Sequence, residues 1–151
     1  MLIFPSDPAS EYEAAGLMYH EVIVAATRRI WIASPYFVPD PALMSALSLA
    51  VLRGVDVRIL IPNKPDNRLV QWAAYTHVEH ALELGIKVYS YIQGFMHQKV
   101  MLVDDRYACV GTANYDKLSL RVNREISLAF SHEEAVDRLR EELFERDFSA
   151  S

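Results

Sequence analysis

The sequence lacks most of what marks a secreted, membrane-spanning or fibrous protein. One cysteine, Cys109, stands among 151 residues, so no internal disulfide framework can form. Glycine is scarce, at five residues, and there is no repeat, low-complexity tract or flexible linker. The longest stretch free of charged side chains, Pro41 to Leu52, falls short of the roughly 18–20 apolar residues that a spanning helix needs. Met1–Phe4 is the only apolar run ahead of Pro5 and Asp7, so no signal peptide is expected in this segment. A basic excess is missing as well. Fifteen Lys and Arg face twenty Asp and Glu, a formal net charge of −5, which makes nucleic acid a disfavoured partner because phosphate neutralisation dominates such binding.

What is present is a globular composition, 52 % hydrophobic and 23 % charged, and a length that suits one domain over residues 1–151. Helical and strand patterns alternate, which predicts an α/β architecture with a mixed β-sheet flanked by α-helices on both faces. The first helix is expected over about Ser10 to Thr27, with Tyr12, Ala15, Tyr19, Ile23 and Ala26 on one face. A buried strand, Ile30–Ala33, runs into a loop through Pro39. Asp40 then caps a second helix with Pro41 at its first position, turning Leu43, Leu47, Ala50 and Val51 inward until Gly54. Val55–Ile61 reads as a strand and Asn63–Asn67 as a polar turn. Leu69–Leu84 reads as a helix with Val70, Ala73, Ala74, His77, Val78, Ala81 and Leu82 inward, closed by Gly85, and Ile86–Tyr91 as a further strand. Lys99–Val103 and Tyr107–Val110 form a hairpin through Asp104-Asp105-Arg106. Glu125–Phe130 is the last strand. Ser131 with Glu134 reads as a capping box for a final helix carrying Val136, Leu139, Leu143 and Phe144.

The chemistry concentrates in His97-Gln98-Lys99, Asp104 and Gly111-Thr112-Ala113-Asn114. On an extended chain His97 and Lys99 share one face, as do Thr112 and Asn114. An imidazole, a cation, a hydroxyl and a carboxamide then converge on one small anion, with charge and oriented hydrogen bonds matched to a phosphate. Gly111 lets the backbone come close. Asp104 lies an odd number of residues from His97 and Lys99, so it faces away, and a structural role at the strand end is expected for it.

In this order and spacing the residues resemble the signature of the phospholipase D superfamily: His-x-Lys, four residues, Asp, six residues, Gly-[Ser/Thr]-x-Asn. His97, Lys99, Asp104, Gly111, Thr112 and Asn114 meet every position. The flanks Ile32–Asp40, Leu52–Pro62, Gly94–Lys99 and Asn123-x-Glu125 resemble the C-terminal half of bacterial cardiolipin synthases. The resemblance implies that His97 attacks phosphorus and carries a phosphohistidine. It also implies that Lys99 and Asn114 hold the phosphate oxygens with help from Thr112, and that Glu125 hydrogen-bonds the far side of the His97 ring. No cofactor and no metal is implied. The implied substrate is a phosphatidylglycerol-like phospholipid, with transfer to a second lipid hydroxyl as the leading reading. A phosphodiesterase or endonuclease acting as a homodimer, or a catalytically incomplete half-domain, stands as the alternative.

Tyr36, Gly111, Arg121 and Arg124 are the candidate substrate contacts, with Tyr36 and Phe37 open either to lipid contact or to a lid over the core. Related synthases read Asp-x-Arg-Ser after the asparagine, whereas this chain reads Asp116-Lys117-Leu118-Ser119; Lys117, Arg121 or Arg124 is left to supply the missing charge. The family mechanism uses two motifs and this chain has one, so a second is expected from a missing N-terminal half or from a second copy of the chain. The implied location is cytoplasmic, or the cytoplasmic membrane surface as part of a longer anchored enzyme. His77-x-x-His80 is read as packing rather than a metal site, and Trp31, Trp72 and Cys109 as core.

Overall fold

Three apolar runs, each ended by a turn, become neighbouring parallel strands because a helix after each of the first two carries the chain back over the sheet. The computed structural model describes the chain except residues 8, 10–13 and 65–67, and the side chains of 14, 68–73 and 121. The elements are β1 (Leu2–Ser6), α1 (Ala14–Ala25), β2 (Arg29–Ala33), β3 (Phe37–Val38), α2 (Pro41–Leu52), β4 (Asp56–Pro62), α3 (Arg68–Glu83) and β5 (Lys87–Tyr91). They continue as β6 (Val100–Val103), β7 (Tyr107–Gly111), β8 (Tyr115–Asp116), α4 (Lys117–Arg121), β9 (Glu125–Phe130) and α5 (Glu133–Leu139). A π-helical stretch, Arg140–Glu145, then leads into α6 (Arg146–Ser149).

A seven-stranded mixed sheet runs in the order β1-β9-β7-β6-β2-β4-β5. β2, β4 and β5 are parallel, and the other neighbours are antiparallel. β3 and β8 make a separate parallel pair, Phe37 opposite Tyr115. One face of the sheet packs on α1, α2 and α3 through Ala15, Tyr19, Ile23, Leu43, Leu47, Ile59 and Ala81. The other packs on α5 to α6, where Val136, Phe144 and Phe148 meet Trp31, Leu60, Val100 and Leu102. Helices therefore cover both faces.

The predicted Asp40 cap forms: its carboxylate accepts the Leu43 N–H at 2.8 Å, with Pro41 opening the helix. Several readings are corrected. Met1–Phe4 lies largely within β1, an edge strand whose five residues pair with β9; it is too short and too exposed at Leu2 and Ile3 to show a period. Leu82 is exposed, because the sheet-facing side of α3 is narrower than its apolar stripe. Ser131 does not cap α5: His132 occupies that position with no side-chain bond to the helix. Phe37 is fully buried, which settles it as core. Ser10, Tyr12 and the second half of the Asn63–Asn67 turn lie outside the described residues, as do the side chains of Val70, Trp72 and Ala73.

The C-terminal helices leave one part of their face uncovered. Ile3 pairs with Leu128, Pro5 with Ile126 and Val110 with Leu128, so these side chains share one surface of β1, β9 and β7. It is the surface that continues Ala108 and Phe130 of the second core, yet Ile3, Val110 and Ile126 remain exposed.

Candidate functional site

Strand directions bring the candidate residues to one end of the sheet. Ala33, at the end of β2, pairs with Val100 at the start of β6. Val100 pairs with Val110 near the end of β7, and Gly111 pairs with Ser127 near the start of β9. The segment holding His97 and Lys99, the residues after Gly111, Glu125 and the loop after Ala33 therefore meet at the carboxyl end of the parallel strands. In open α/β sheets that end is where ligands bind.

His97 and Lys99 lie before the regular strand, since β6 begins at Val100. The expected alternation persists nonetheless. Met96 is buried in the second core, while Phe95 and His97 are exposed and stacked, ring centroids 5.7 Å apart at 8°. The Lys99 ammonium lies 3.1 Å from His97 Nδ1 and donates to the His97 carbonyl at 2.9 Å. The Lys99 carbonyl in turn accepts the Gly111 N–H at 3.2 Å, which ties the cation's backbone to the Gly-Thr-x-Asn turn.

On that turn Thr112 is exposed and its hydroxyl donates to Glu125 Oε2, while accepting the Ile126 N–H at 3.0 Å. Asn123 Nδ2 donates to the other Glu125 oxygen at 3.2 Å. Ala113 points inward, fully buried, and Asn114 is half-buried with its Oδ1 lacking a hydrogen-bond partner. The implied Glu125–His97 hydrogen bond is not made here. Thr112 and Asn123 hold the carboxylate, and Lys99 occupies His97 Nδ1.

Asp104 is not brought to the site. The four residues of β6 lie between it and Lys99, five steps or about 16 Å of strand, and it is buried at the opposite end of the sheet. Its carboxylate accepts the Thr27 N–H and hydroxyl, both at 2.8 Å, the Arg28 N–H at 2.7 Å and the Arg29 N–H at 2.9 Å. Burial would raise its pKa, and these hydrogen bonds outweigh burial and hold it below the ordinary value.

Tyr36 is half-buried at the rim of an apolar pocket with Pro35, Ile61, Pro62 and Tyr75. Arg124 is exposed and pairs with Asp7 at 3.5 Å. Arg121 closes α4, its side chain outside the described residues, and Leu118 is exposed. Sequence reasoning missed Ser34. Fully buried at the end of β2, its hydroxyl donates to the Tyr36 carbonyl at 2.7 Å and accepts the Tyr115 N–H at 3.3 Å, linking the Tyr36 loop to the residue after Asn114. It lay in the loop after the Ile30–Ala33 strand, but nothing local signalled a partner 81 residues away. Cys109 is buried with its sulfur 3.5 Å from the Tyr19 hydroxyl, and burial raises the pKa of both groups. Among the described residues, no helix is long and apolar enough to cross a membrane.

A family model for "Cardiolipin synthase, PLD-like domain" matches residues 19–148. Cardiolipin synthase A of Pseudomonas entomophila is 47% identical over 143 residues, covering 95% of this chain and 30% of that protein. Cardiolipin synthase A of Pseudomonas fluorescens is 49% identical over 126 residues, 83% of this chain and 26% of the relative. The chain thus spans less than a third of the length of these curated relatives. The fold matches Nuc, a phospholipase D family member from Salmonella typhimurium, with a TM-score of 0.82 at 22% identity over 99% of this chain and 93% of that one. It also matches phosphatidylserine synthase of Haemophilus influenzae, with a TM-score of 0.75 at 17% identity over 99% and 38% of the two chains.

Proposed function

The chain belongs to the family of cardiolipin synthase, PLD-like domains, and from that premise we propose that His97 and its neighbours form one half of a phosphatidyltransferase site. The observation that carries this reading is the Lys99 ammonium beside the His97 ring, 3.1 Å from Nδ1, at an exposed sheet end: the nucleophile and a cation able to reach its phosphate stand side by side. Asn114 adds a carboxamide whose N–H groups are the part able to donate to a phosphate, its oxygen being an acceptor without a protein partner. In the reaction, a His97 ring nitrogen donates its lone pair to the phosphorus of a phosphatidylglycerol-like lipid. The P–N bond forms as the P–O bond to the glycerol headgroup breaks, and the departing alkoxide takes a proton from the histidine of a second motif. That histidine then accepts the proton of a second lipid's hydroxyl, whose oxygen attacks phosphorus and releases His97. Lys99 offsets the charge on the phosphoryl oxygens and the Asn114 amide N–H groups donate to them, while the Thr112 hydroxyl donates to Glu125 and braces the turn.

One imidazole cannot stand on both sides of an in-line phosphorus, so the second motif comes from the remainder of a longer chain or from a second copy. The exposed apolar surface of β1, β9 and β7, beginning one residue from Glu125 at Ile126, supports such a partner. The substrate places the working site at a membrane surface. Asp104 acts at the far end of the sheet as a structural residue.

The test is to mix the protein with phosphatidylglycerol vesicles, quench with denaturant at alkaline pH, where phosphoramidates survive, and weigh the chain. A phosphatidyl adduct on His97, absent from His97→Ala, with cardiolipin and free glycerol as products, is expected. Phosphatidic acid in place of cardiolipin would move the reading to hydrolysis. A folded, self-associated chain that forms no adduct and cleaves single-stranded DNA would overturn it.

A further inference from the structure

Asp147 is a buried acid for which the transfer chemistry has no use. It lies on α6, 2% exposed, on the side of the helix that also buries Phe148. Burying a carboxylate carries a desolvation cost, so its partners matter, and they are a neutral amide and one exposed guanidinium. Its Oδ1 takes Arg146 Nε at 3.0 Å, from the preceding residue. Its Oδ2 takes the Gln98 side-chain amide at 3.3 Å, from a residue 49 positions earlier that stands between His97 and Lys99.

That contact falls where the reactive segment has least support. Residues 95 to 99 precede β6, so His97 and Lys99 are not held by paired strands on both sides. Alternation sends Phe95, His97 and Lys99 to the site and Met96 and Gln98 to the opposite face, toward α6. Met96 is anchored by packing alone, whereas Gln98 is fastened by a directional bond. The π-helical stretch before α6 keeps Phe144, Asp147 and Phe148 all turned inward, with Phe148 against Trp31 at 5.3 Å and Tyr89 at 4.6 Å between ring centroids. The acid that grips Gln98 therefore stands on a rigid aromatic floor.

We propose that Asp147 is a positioning residue for the phosphate site: by holding Gln98 it fixes the alternation that presents His97 and Lys99 together. It touches neither lipid nor phosphorus and acts through the backbone of residues 97 to 99. The inference rests on the proposed function for its kinetic readout alone.

The test compares Gln98→Met, which keeps the shape of the side chain and loses the donor, with Asp147→Leu and with the double exchange Gln98→Glu/Asp147→Asn, which reverses donor and acceptor and keeps the charge in the same pocket. Phosphatidyl-His97 formation from phosphatidylglycerol vesicles is followed after an alkaline denaturing quench, and the His97 ring signals are followed by NMR without lipid. Gln98→Met is expected to slow adduct formation at saturating lipid by roughly ten- to hundredfold, with the half-saturating lipid concentration within about twofold of the parent. The His97 ring signals are expected to shift or broaden, and the double exchange to restore both. If Gln98→Met lowers only the melting temperature, leaving the His97 signals in place and the rate within about twofold, the contact merely anchors the C-terminus and the proposal fails. Should the parent form no adduct, the ring signals alone decide the role of Asp147.

Discussion

The Lys99 ammonium sits 3.1 Å from Nδ1 of His97, while the Glu125 carboxylate is held by Thr112 and Asn123. An ammonium has only protons to offer, so a hydrogen bond from it to Nδ1 requires the ring tautomer with its proton on Nε2. A nitrogen bearing a proton is not a nucleophile. An anion that draws Lys99 to its own oxygens frees Nδ1 to take the proton and leaves Nε2 with its lone pair. Nitrogen-15 spectra of the ring are therefore expected to show the Nε2–H form without ligand, shifting toward Nδ1–H as inorganic phosphate is added. Lys99→Met should abolish the response. A ring already in the Nδ1–H form before any anion is present would contradict the scheme.

Asp104 ties the β6–β7 hairpin to the start of β2, and its effect on stability has a defined pH dependence. Its folded pKa is depressed, so the stability it contributes is complete above the unfolded carboxylate value of about 3.9 and is lost as pH falls through the lower folded value. Asparagine tolerates the φ of 54° found here, so Asp104→Asn isolates the hydrogen bonds from the turn. Urea unfolding at pH 7 should show a loss of about 2–4 kcal/mol. The gap between parent and variant should close as the pH is lowered from about 4 toward 2. A gap that stays constant over that range would assign the loss to hydrogen-bond geometry rather than to the charge.

Much of this was legible because it is local or periodic. Asp40-Pro41 announces α2, and the four residues between Lys99 and Asp104 set the length of β6 and put those side chains at opposite ends of it. The residues that escaped reading are joined over long separations. Nothing near Phe37 indicates a partner at Tyr115, nothing near Gln98 points to Asp147, and nothing at Glu125 shows that Thr112 would claim it. Ser131 looked like a cap on composition, and the helix begins one position later than that pattern requires. Spacing encodes which side chains share a face; tertiary packing decides which of them meet.

Gly111 illustrates a constraint that spacing hints at and packing explains. A Cβ built there would lie 2.5 Å from Ser127 Oγ, 2.7 Å from the Ile126 carbonyl and 3.0 Å from Ser127 Cα. Two of those neighbours are backbone of β9, so the methyl group of Gly111→Ala must push β7 away from the strand that carries Glu125. A destabilisation of roughly 1–3 kcal/mol in urea is expected. Adding Ser127→Ala removes the nearest atom but not the carbonyl, so it should recover only part of the loss. Full recovery would show that the hydroxyl alone sets the limit.

The uncovered surface of β1, β9 and β7 yields the last prediction. Ile3 and Ile126 are 57% and 53% exposed and Val110 is 37% exposed, on strands whose opposite face is packed against α1. Burying such side chains returns about 25 cal/mol for each Å² removed from water, whereas a stable interface covers roughly 1,200–2,000 Å² in total. The patch can therefore be the centre of an interface but not the whole of one. Light scattering on the chain at high concentration should give a mass above that of one copy. Ile3→Lys and Val110→Lys should return it to one copy that stays folded, because both side chains already meet water. Phosphatidyl transfer by the chain alone should fall with the mass, since each site would lose the proton donor supplied from across the interface. Association that survives both lysines would place the contact elsewhere, and a parent chain that stays a single copy at every concentration would leave the second motif to a longer polypeptide.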